Sequence, residues 1–280
     1  MKQFEQDFTI HTHTTISDGY HSPCEMAYYA SQQGFNTIGF SDHFIVNPKF
    51  ENTEIYKALK KSRHAKIYTA DFNQTTVYFK EQFNKLEQIA EIAPIKILRG
   101  LEVDIFQGDE WAKNFEQSMK ILKPDYIIGS AHFIEYDGGI YNMYDIQHAK
   151  PDFADKLLTA YWKNIQRIAK SGLCNIIAHL DLPRRRHSGY EEKWADFEHE
   201  TVDIIAQQKL PLEINTGLYQ SDQYYPHPSP RIMEMCAKKQ VPMFLSDDAH
   251  HAAQLGDKFK EAQQYAKMFG ANLVGLDKIL

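Results

Sequence analysis

Residues 7–18 read DFTIHTHTTISD: a short run in which apolar and polar side chains alternate, then His11 and His13 two positions apart, then Asp18. Ser22-Pro23 follows and opens an amphipathic stretch, Pro23 to Gln33, that Gly34 closes; proline just inside a helix start and glycine just past its end are the expected punctuation. A second apolar run, Asn36 to Phe40, leads into Ser41-Asp42-His43. Strand, helix and strand thus succeed one another, and each strand delivers metal-type side chains at its C-terminal end.

The same unit recurs outward from this stretch. Further strands are expected at Ile95 to Val103, Tyr126 to Ala131, Asn175 to Ala178, Leu210 to Ile214 and Val241 to Leu245, with a last short one at Ala271 to Val274. Helical patterns separate them at Thr75 to Ile92, Asp109 to Leu122, Phe153 to Ser171, Trp194 to Gln208, Ser229 to Lys239 and Ala252 to Phe269. Regular alternation predicts an α/β architecture of parallel strands with right-handed crossovers. A closed barrel and an open doubly wound sheet both satisfy that order. A barrel needs roughly 250 residues, so residues 1–280 are read as one domain. Two connections, 47–73 and 135–152, are long for turns and rich in Tyr and Phe, which predicts an ordered cap over the site.

Composition narrows the class. A hydrophobic content of 43% with 13% aromatics supports a sizeable core rather than disorder. The net charge of −6, from 31 basic and 37 acidic side chains well mixed along the chain, gives no general reason to bind nucleic acid or an anionic membrane. Cys24, Cys174 and Cys236 lie far apart and form no CxxC pair, which suits a reducing, cytoplasmic setting. The N-terminus has no apolar signal core, and no run approaches the roughly 18 apolar residues of a membrane span.

The strand ends carry the chemistry. In order they read His11-Thr12-His13 with Asp18, Asp42-His43, Glu102-Val103-Asp104, Ser130-Ala131-His132, His179-Leu180-Asp181, Glu213-Ile214-Asn215, and Asp247-Asp248-Ala249-His250. A βα barrel gathers these ends on one face, where the loops that follow converge, so the distribution favours the barrel. Residues i and i+2 of a strand point the same way, so His11 and His13 can grip one ion together. Imidazole mixed with carboxylate, without thiolate, suits Zn, Mn or Fe. Two ions held ~3.5–4 Å apart would polarise a phosphoryl group and activate water. Asp42, Asp181, Asp247 and His251 are candidates for proton transfer or for orienting a ligand. The remaining histidines, His21, His64, His148, His187, His199 and His227, lack strand-end placement and are expected in surface or loop roles. Tyr28-Tyr29 and Tyr224-Tyr225 are expected to pack in the core or the cap.

HTHTTISDG, GFSDH, RGLEVDI, DYIIGSAHF, IIAHLD, LEINTG and FLSDDAH, in this order over residues 7–251, resemble the PHP (polymerase and histidinol phosphatase) superfamily, and within it the histidinol-phosphatase branch. The resemblance implies a distorted (β/α)7 barrel holding two to three divalent metal ions. One would use His11, His13, Glu102 and Asp248. A second would share Glu102 and add His132 and His179. A third would use Asp18, His43 and His250. It also implies a metal-dependent phosphomonoesterase that converts L-histidinol phosphate and water to L-histidinol and phosphate in histidine biosynthesis.

On the substrate side, Arg184, Arg185 and Arg186 follow directly after His179-Leu180-Asp181 and would form a phosphate clamp at the rim. Relatives of this branch commonly carry an Arg after the sixth strand, where this chain reads Thr216-Gly217-Leu218-Tyr219. That departure keeps a second reading open, a phosphatase or nuclease of the same superfamily acting on a nucleotide, a phosphotyrosine or an oligonucleotide end. A metal-binding regulatory module without catalysis is a third. The expected partner is a small phosphorylated substrate, with neither nucleic acid nor membrane.

Overall fold

The computed structural model describes residues 4–61, 67–186, 193–217, 219 and 225–280, excepting the side chains of residues 55, 59, 185 and 186. His64, His187 and Tyr224 lie outside the described residues. The chain divides into two compact units, Met1–Ile128 with Ser246–Asp257, and Gly129–Leu245 with Lys258–Leu280.

The first unit is built on a parallel ladder. Strands β1 (Phe8–Thr9), β2 (Thr37–Phe40), β3 (His43–Val46), β4 (Tyr68–Thr69) and β5 (Lys96–Asp104) belong to it, with the first residues of β6 (Tyr126–Ser130). β1 pairs with β2 through Phe8↔Thr37, and β2 pairs with the near end of β5 through Thr37↔Lys96. The far end of the nine-residue β5 then takes a second partner, β3, through His43↔Glu102 and Phe44↔Val103. β4 lies against β3 through Ile45↔Tyr68. The returning segment 246–257 joins at an isolated parallel bridge, Thr12↔Ala249, with His13 N–H donating to Ala249 O at 2.9 Å.

Helices Pro23–Gln32, Phe72–Ala90 and Asp109–Leu122 belong to the same unit. The first opens with a capping box between Ser22 and Glu25, and the second with the Asp71 carboxylate accepting from Asn73 N and Gln74 N. Phe44, on the face of β3 opposite His43, packs against Phe72, Phe79 and Phe115. Trp111 stacks on Phe115 and donates Nε1–H to Val46 O at 2.8 Å. One face of β3 is therefore core and the other is left for the ligands.

The second unit holds the end of β6, the antiparallel hairpin β7 (Phe133–Tyr136) and β8 (Gly139–Asn142), and four short strands: β9 (Ile176–Ile177), β10 (Leu212–Asn215), β11 (Pro242–Ser246), whose last residue falls in the first unit, and β12 (Asn272–Leu273). β9 and β10 are parallel, as are β11 and β12. Helices Pro151–Ser171, Ala195–Gln208, Pro230–Lys238 and Phe259–Phe269 alternate with them. Tyr161 and Trp162 are buried, and Tyr161 donates its hydroxyl to Leu180 O at 3.0 Å.

The expected alternation of strands and helices is present, and Asp109–Leu122 has the bounds read from sequence. Several details differ, among them a separate strand at His43–Val46 and a helix at Phe72–Ala90 where Thr75 to Ile92 was expected. The last long helix starts at Phe259 rather than Ala252: a 3-10 turn at Ala252–Gln254 and a positive φ of 66° at Gly256 precede it. The cause is tertiary, because the Asp247 carboxylate accepts Gly256 N–H at 2.8 Å. The first strand shrinks to Phe8–Thr9, since beyond it Thr12 bridges to Ala249. Both long connections contain strands that apolar runs did not reveal, β4 in one and the β7–β8 hairpin in the other. Asp137-Gly138, with φ of 47° and 77°, turns that hairpin, and Asp-Gly between alternating side chains is a readable turn signal.

Close packing around Tyr126 sets a sharp steric limit in the first unit. Its hydroxyl donates to Ile10 O at 2.5 Å; a Cβ on Gly39 would strike chiefly the hydroxyl, while one on Gly100 would strike the ring and the hydroxyl together. Gly39→Ala and Gly100→Ala should each cost about 1–3 kcal/mol in urea unfolding. Adding Tyr126→Phe should relieve the Gly39 variant more than the Gly100 variant, where the ring carbons still clash with the added Cβ.

Candidate metal centre

In the first unit, local backbone pattern aims the ligands. Thr12 turns toward β2, donating Oγ1–H to Gly39 O at 2.9 Å, so its neighbours His11 and His13 share the opposite direction. Glu102 enters from β5 directly across from His43. His11 Nε2 lies 3.4 Å from Glu102 Oε2 and 3.5 Å from Asp248 Oδ1. His13 Nε2 lies 3.4 Å and 3.1 Å from the same two oxygens. His43 Nδ1 lies 3.0 Å from Glu102 Oε2, and its Nε2 3.6 Å from Asp18 Oδ2. His250 Nε2 stands 3.4 Å from that same Asp18 oxygen. His13 stacks between the rings of His250 and His43, at 4.1 and 4.3 Å between centroids. Asp248 adopts φ of 48°, which directs its carboxylate inward from a left-handed backbone that Asp tolerates better than most residues.

This donor set fits divalent ions. Ligand atoms of His13, Asp18, His43 and His250 lie within 4.8 Å of one another, as do those of His11, His13 and Glu102. Among the described residues, neither ring nitrogen of the buried His13 makes a hydrogen bond of acceptable geometry, though both face carboxylate oxygens. Ring nitrogens that face carboxylate oxygens without bonding them, as those of His13 do, are what a cation between them would satisfy. Electrostatics point the same way. Burial, His250 and His43 lower the His13 pKa to about 3, so it stays neutral and one ring nitrogen keeps its lone pair available. Burial opposes protonation of His43, but Asp18 and Glu102 outweigh it and raise its pKa to about 9. His250 likewise rises to about 9 against burial, through Asp18 and Asp248. The cluster thus draws in positive charge, as protons when no ion is bound.

Small polar residues hold the cluster's loops. Asp42 is buried, and its carboxylate accepts Thr14 N (2.8 Å), Ser17 N (3.0 Å), Ser17 Oγ (2.6 Å) and Thr14 Oγ1 (2.9 Å). It therefore fixes the 14–18 turn that presents Asp18. Asp247 faces away from the imidazoles, toward Thr9 Oγ1 (2.9 Å) and Gly256 N, and burial foremost raises its pKa to about 7. His251 is exposed; its Nδ1 accepts Ala253 N–H, and its ring meets His21 edge-on at 4.4 Å. His21 in turn accepts Ala252 N–H at 3.3 Å. Thr14 and Ser17 escaped the sequence reading because the carboxylate they bind, Asp42, lies 25 to 28 positions away and no spacing signal links them to it. Tyr28 and Tyr29, expected in the core or cap, are 55% and 44% exposed, since they lie on the outer face of helix Pro23–Gln32.

The second expected ion site is divided between the units: Glu102 lies in the first, and His132 and His179 in the second, where their rings meet at 5.0 Å. In the second unit His179 N–H donates to Glu213 Oε1 at 2.6 Å, and Asn215 Nδ2 donates to the same oxygen at 2.8 Å. Asp181 is buried. Its carboxylate meets Arg184 Nε at 3.1 Å, His227 Nδ1 at 2.6 Å and Ser229 N–H at 2.9 Å. Burial resists its ionisation, but Arg184, His227 and the Ser229 amide hold the carboxyl well below the usual range. Arg184 is thus not a free rim residue: its guanidinium lies over the Tyr225 ring at 4.5 Å, and Nη2 reaches Pro226 O at 3.3 Å. His227, expected in a surface or loop role, lies between β10 and the next helix but is 0% exposed, paired to Asn215 through both backbone groups. The side chains of Arg185 and Arg186 lie outside the description.

The fold and this cluster define a class. The PHP domain model matches residues 7–217, and the chain belongs to that family. Among its relatives is a Deinococcus radiodurans protein named "Probable histidinol-phosphatase", 28% identical over 202 residues, 68% of this chain and 76% of the relative. The fold also matches a candidate histidinol phosphatase, HisK, of Listeria monocytogenes with a TM-score of 0.72 at 18% identity, over 91% of this chain and 99% of the other. A histidinol phosphate phosphatase of Lactococcus lactis, in complex with zinc, L-histidinol and phosphate, matches with a TM-score of 0.64 at 17% identity, over 96% of this chain and 95% of the other. The architecture is the α/β, mostly parallel fold of this family.

The Asp181 arrangement generates a stability prediction. Its folded-state pKa is depressed, so its contribution is present above the unfolded value of about 4 and is lost as pH falls below that value. Asp181→Asn should cost about 3–5 kcal/mol at pH 7 by leaving Arg184 buried without its counter-charge. The gap to the parent protein in urea unfolding should narrow steadily below about pH 4.

Proposed function

We propose that this protein is a metal-dependent phosphomonoester hydrolase that converts L-histidinol phosphate and water to L-histidinol and phosphate, a step of histidine biosynthesis. The observation that carries the reading is the meeting of His11, His13, His43 and His250 with Asp18, Glu102 and Asp248 in one buried cluster. Family membership and the named relative support it. His11, His13, Glu102 and Asp248 would hold one ion, and Asp18, His43 and His250 another. His132 and His179 are proposed as ligands of a further one. Zn, Mn and Fe suit this nitrogen and oxygen set. When bound, such ions withdraw charge from phosphoryl oxygens and lower the pKa of water.

The chain's own residues do the positioning. Asp42 keeps the 14–18 turn in place, so that Asp18 holds its station between His43 and His250. Asp247 ties the β11 end to Thr9 and Gly256, which keeps Asp248 turned toward His11 and His13. His251 stands exposed one residue beyond His250 and is the candidate for proton exchange with solvent. Arg185 and Arg186, which follow the Asp181-anchored Arg184, are proposed for the substrate phosphate. Among the described residues no helix is long and apolar enough to cross a membrane, and Cys24, Cys174 and Cys236 are free thiols. We place the enzyme in the cytoplasm on that basis.

The sequence after β10, Thr216-Gly217-Leu218-Tyr219, favours a second reading, in which the same chemistry acts on a different phosphomonoester. Phosphate release by protein loaded with Zn, Mn or Fe decides between them. Turnover of L-histidinol phosphate is expected, falling at least about 100-fold in His43→Ala. Chelation should abolish it and lower the thermal midpoint, because an ion that binds only the folded state stabilises that state. Cleavage of aryl phosphates without L-histidinol phosphate would transfer the assignment to the second reading. Turnover that survives both chelation and the substitution would refute the metal-centred reading.

A further inference from the structure

We infer that Tyr68 contacts the substrate, its phenol O–H donating a hydrogen bond to the phosphoryl oxygens of the ester held at the metal cluster. The inference rests on the phosphoester reading above and adds a residue that nothing in the strand-end pattern pointed to. Its basis is strand register. His43 faces Glu102 across β3 and β5, and Tyr68 faces Ile45 across β4 and β3. Paired residues of neighbouring strands project to the same side, as do residues two apart on one strand. His43, Ile45, Tyr68, Glu102 and Asp104 therefore share one face, while Phe44 on the other face packs among Phe72, Phe79 and Phe115. Tyr68 is the side chain that β4 adds to the ligand face, one strand beyond His43, and it is half-buried rather than sealed in the core.

The chemistry suits that place. The groups that line the cluster are imidazoles and carboxylates, which serve an ion as acceptors. A phosphoryl group that gives some oxygens to metal still needs donors for the rest, and preorganised donors are most effective where water is excluded. Burial and the negative charges of Asp18, Asp104 and Glu102 push the Tyr68 phenol above its ordinary range, so the O–H is retained at working pH. A phenol kept protonated beside carboxylates is a donor to an incoming anion, not a proton source. No bond to hydrogen breaks in this role, and the proton balance of hydrolysis is untouched.

The test is Tyr68→Phe in metal-loaded protein, with inorganic phosphate binding measured by calorimetry. Phosphate affinity should fall about 10–100-fold. kcat/KM should fall by a similar factor for L-histidinol phosphate and for p-nitrophenyl phosphate alike, since phosphoryl oxygens are common to both. Metal content and thermal midpoint should match the parent protein. Unchanged phosphate affinity overturns the inference, and so does a loss that comes with loss of metal, which would mark a structural role. Failure of the parent protein to bind phosphate overturns it as well. If the parent binds phosphate but hydrolyses neither ester, the proposed reaction fails, and the calorimetric comparison still judges Tyr68.

Discussion

Collecting Asp18, Glu102 and Asp248 in one buried place is tolerable only if positive charge is collected with them. Unscreened carboxylates out of water cost several kcal/mol each. His43 and His250 respond by holding protons more tightly than a free imidazole does, while His13, wedged between them, gives its proton up. A divalent ion resolves the same imbalance without asking any imidazole to be charged, and it uses lone pairs that otherwise face carboxylates. The rest of the first unit can be understood as what is needed to hold mutually repelling groups in register.

Two kinds of constraint do the holding. One is the parallel ladder: β5 is long enough to take β2 along one part of its length and β3 along the next, and the second pairing puts His43 opposite Glu102. The other is hydrogen bonding by groups that never approach an ion. Asp42 spends its carboxylate on Thr14 and Ser17, and Asp247 spends its own on Thr9 and Gly256. Each keeps a neighbouring ligand from relaxing away from its like-charged companions. In the second unit Asp181 has the same character, joining Arg184, His227 and Ser229 into one buried network. Satisfied networks of this sort rigidify a site, whereas a half-satisfied one would be costly.

Much of this was written in order along the chain. Strand-end His, Asp and Glu residues, with i, i+2 spacing at His11 and His13 and at Asp248 and His250, named the residues that the first unit brings together. The helix at Asp109–Leu122 and the glycine stops at Gly34 and Gly172 were equally plain, because period and punctuation are local properties. The Asp137-Gly138 turn was also local, and its hairpin could have been read from the alternation around it.

What the sequence determined by itself, then, is the order of strands and helices and the identity of the groups able to hold a metal, since both depend on neighbours a few positions apart. Only the tertiary structure decided that Asp42 serves a turn 25 residues earlier, that His227 is buried against Asp181, and that Tyr68 shares a face with Glu102. Those assignments depend on which strand lies beside which and on where burial removes water. Register and desolvation join residues far apart in the chain, and no local pattern encodes them.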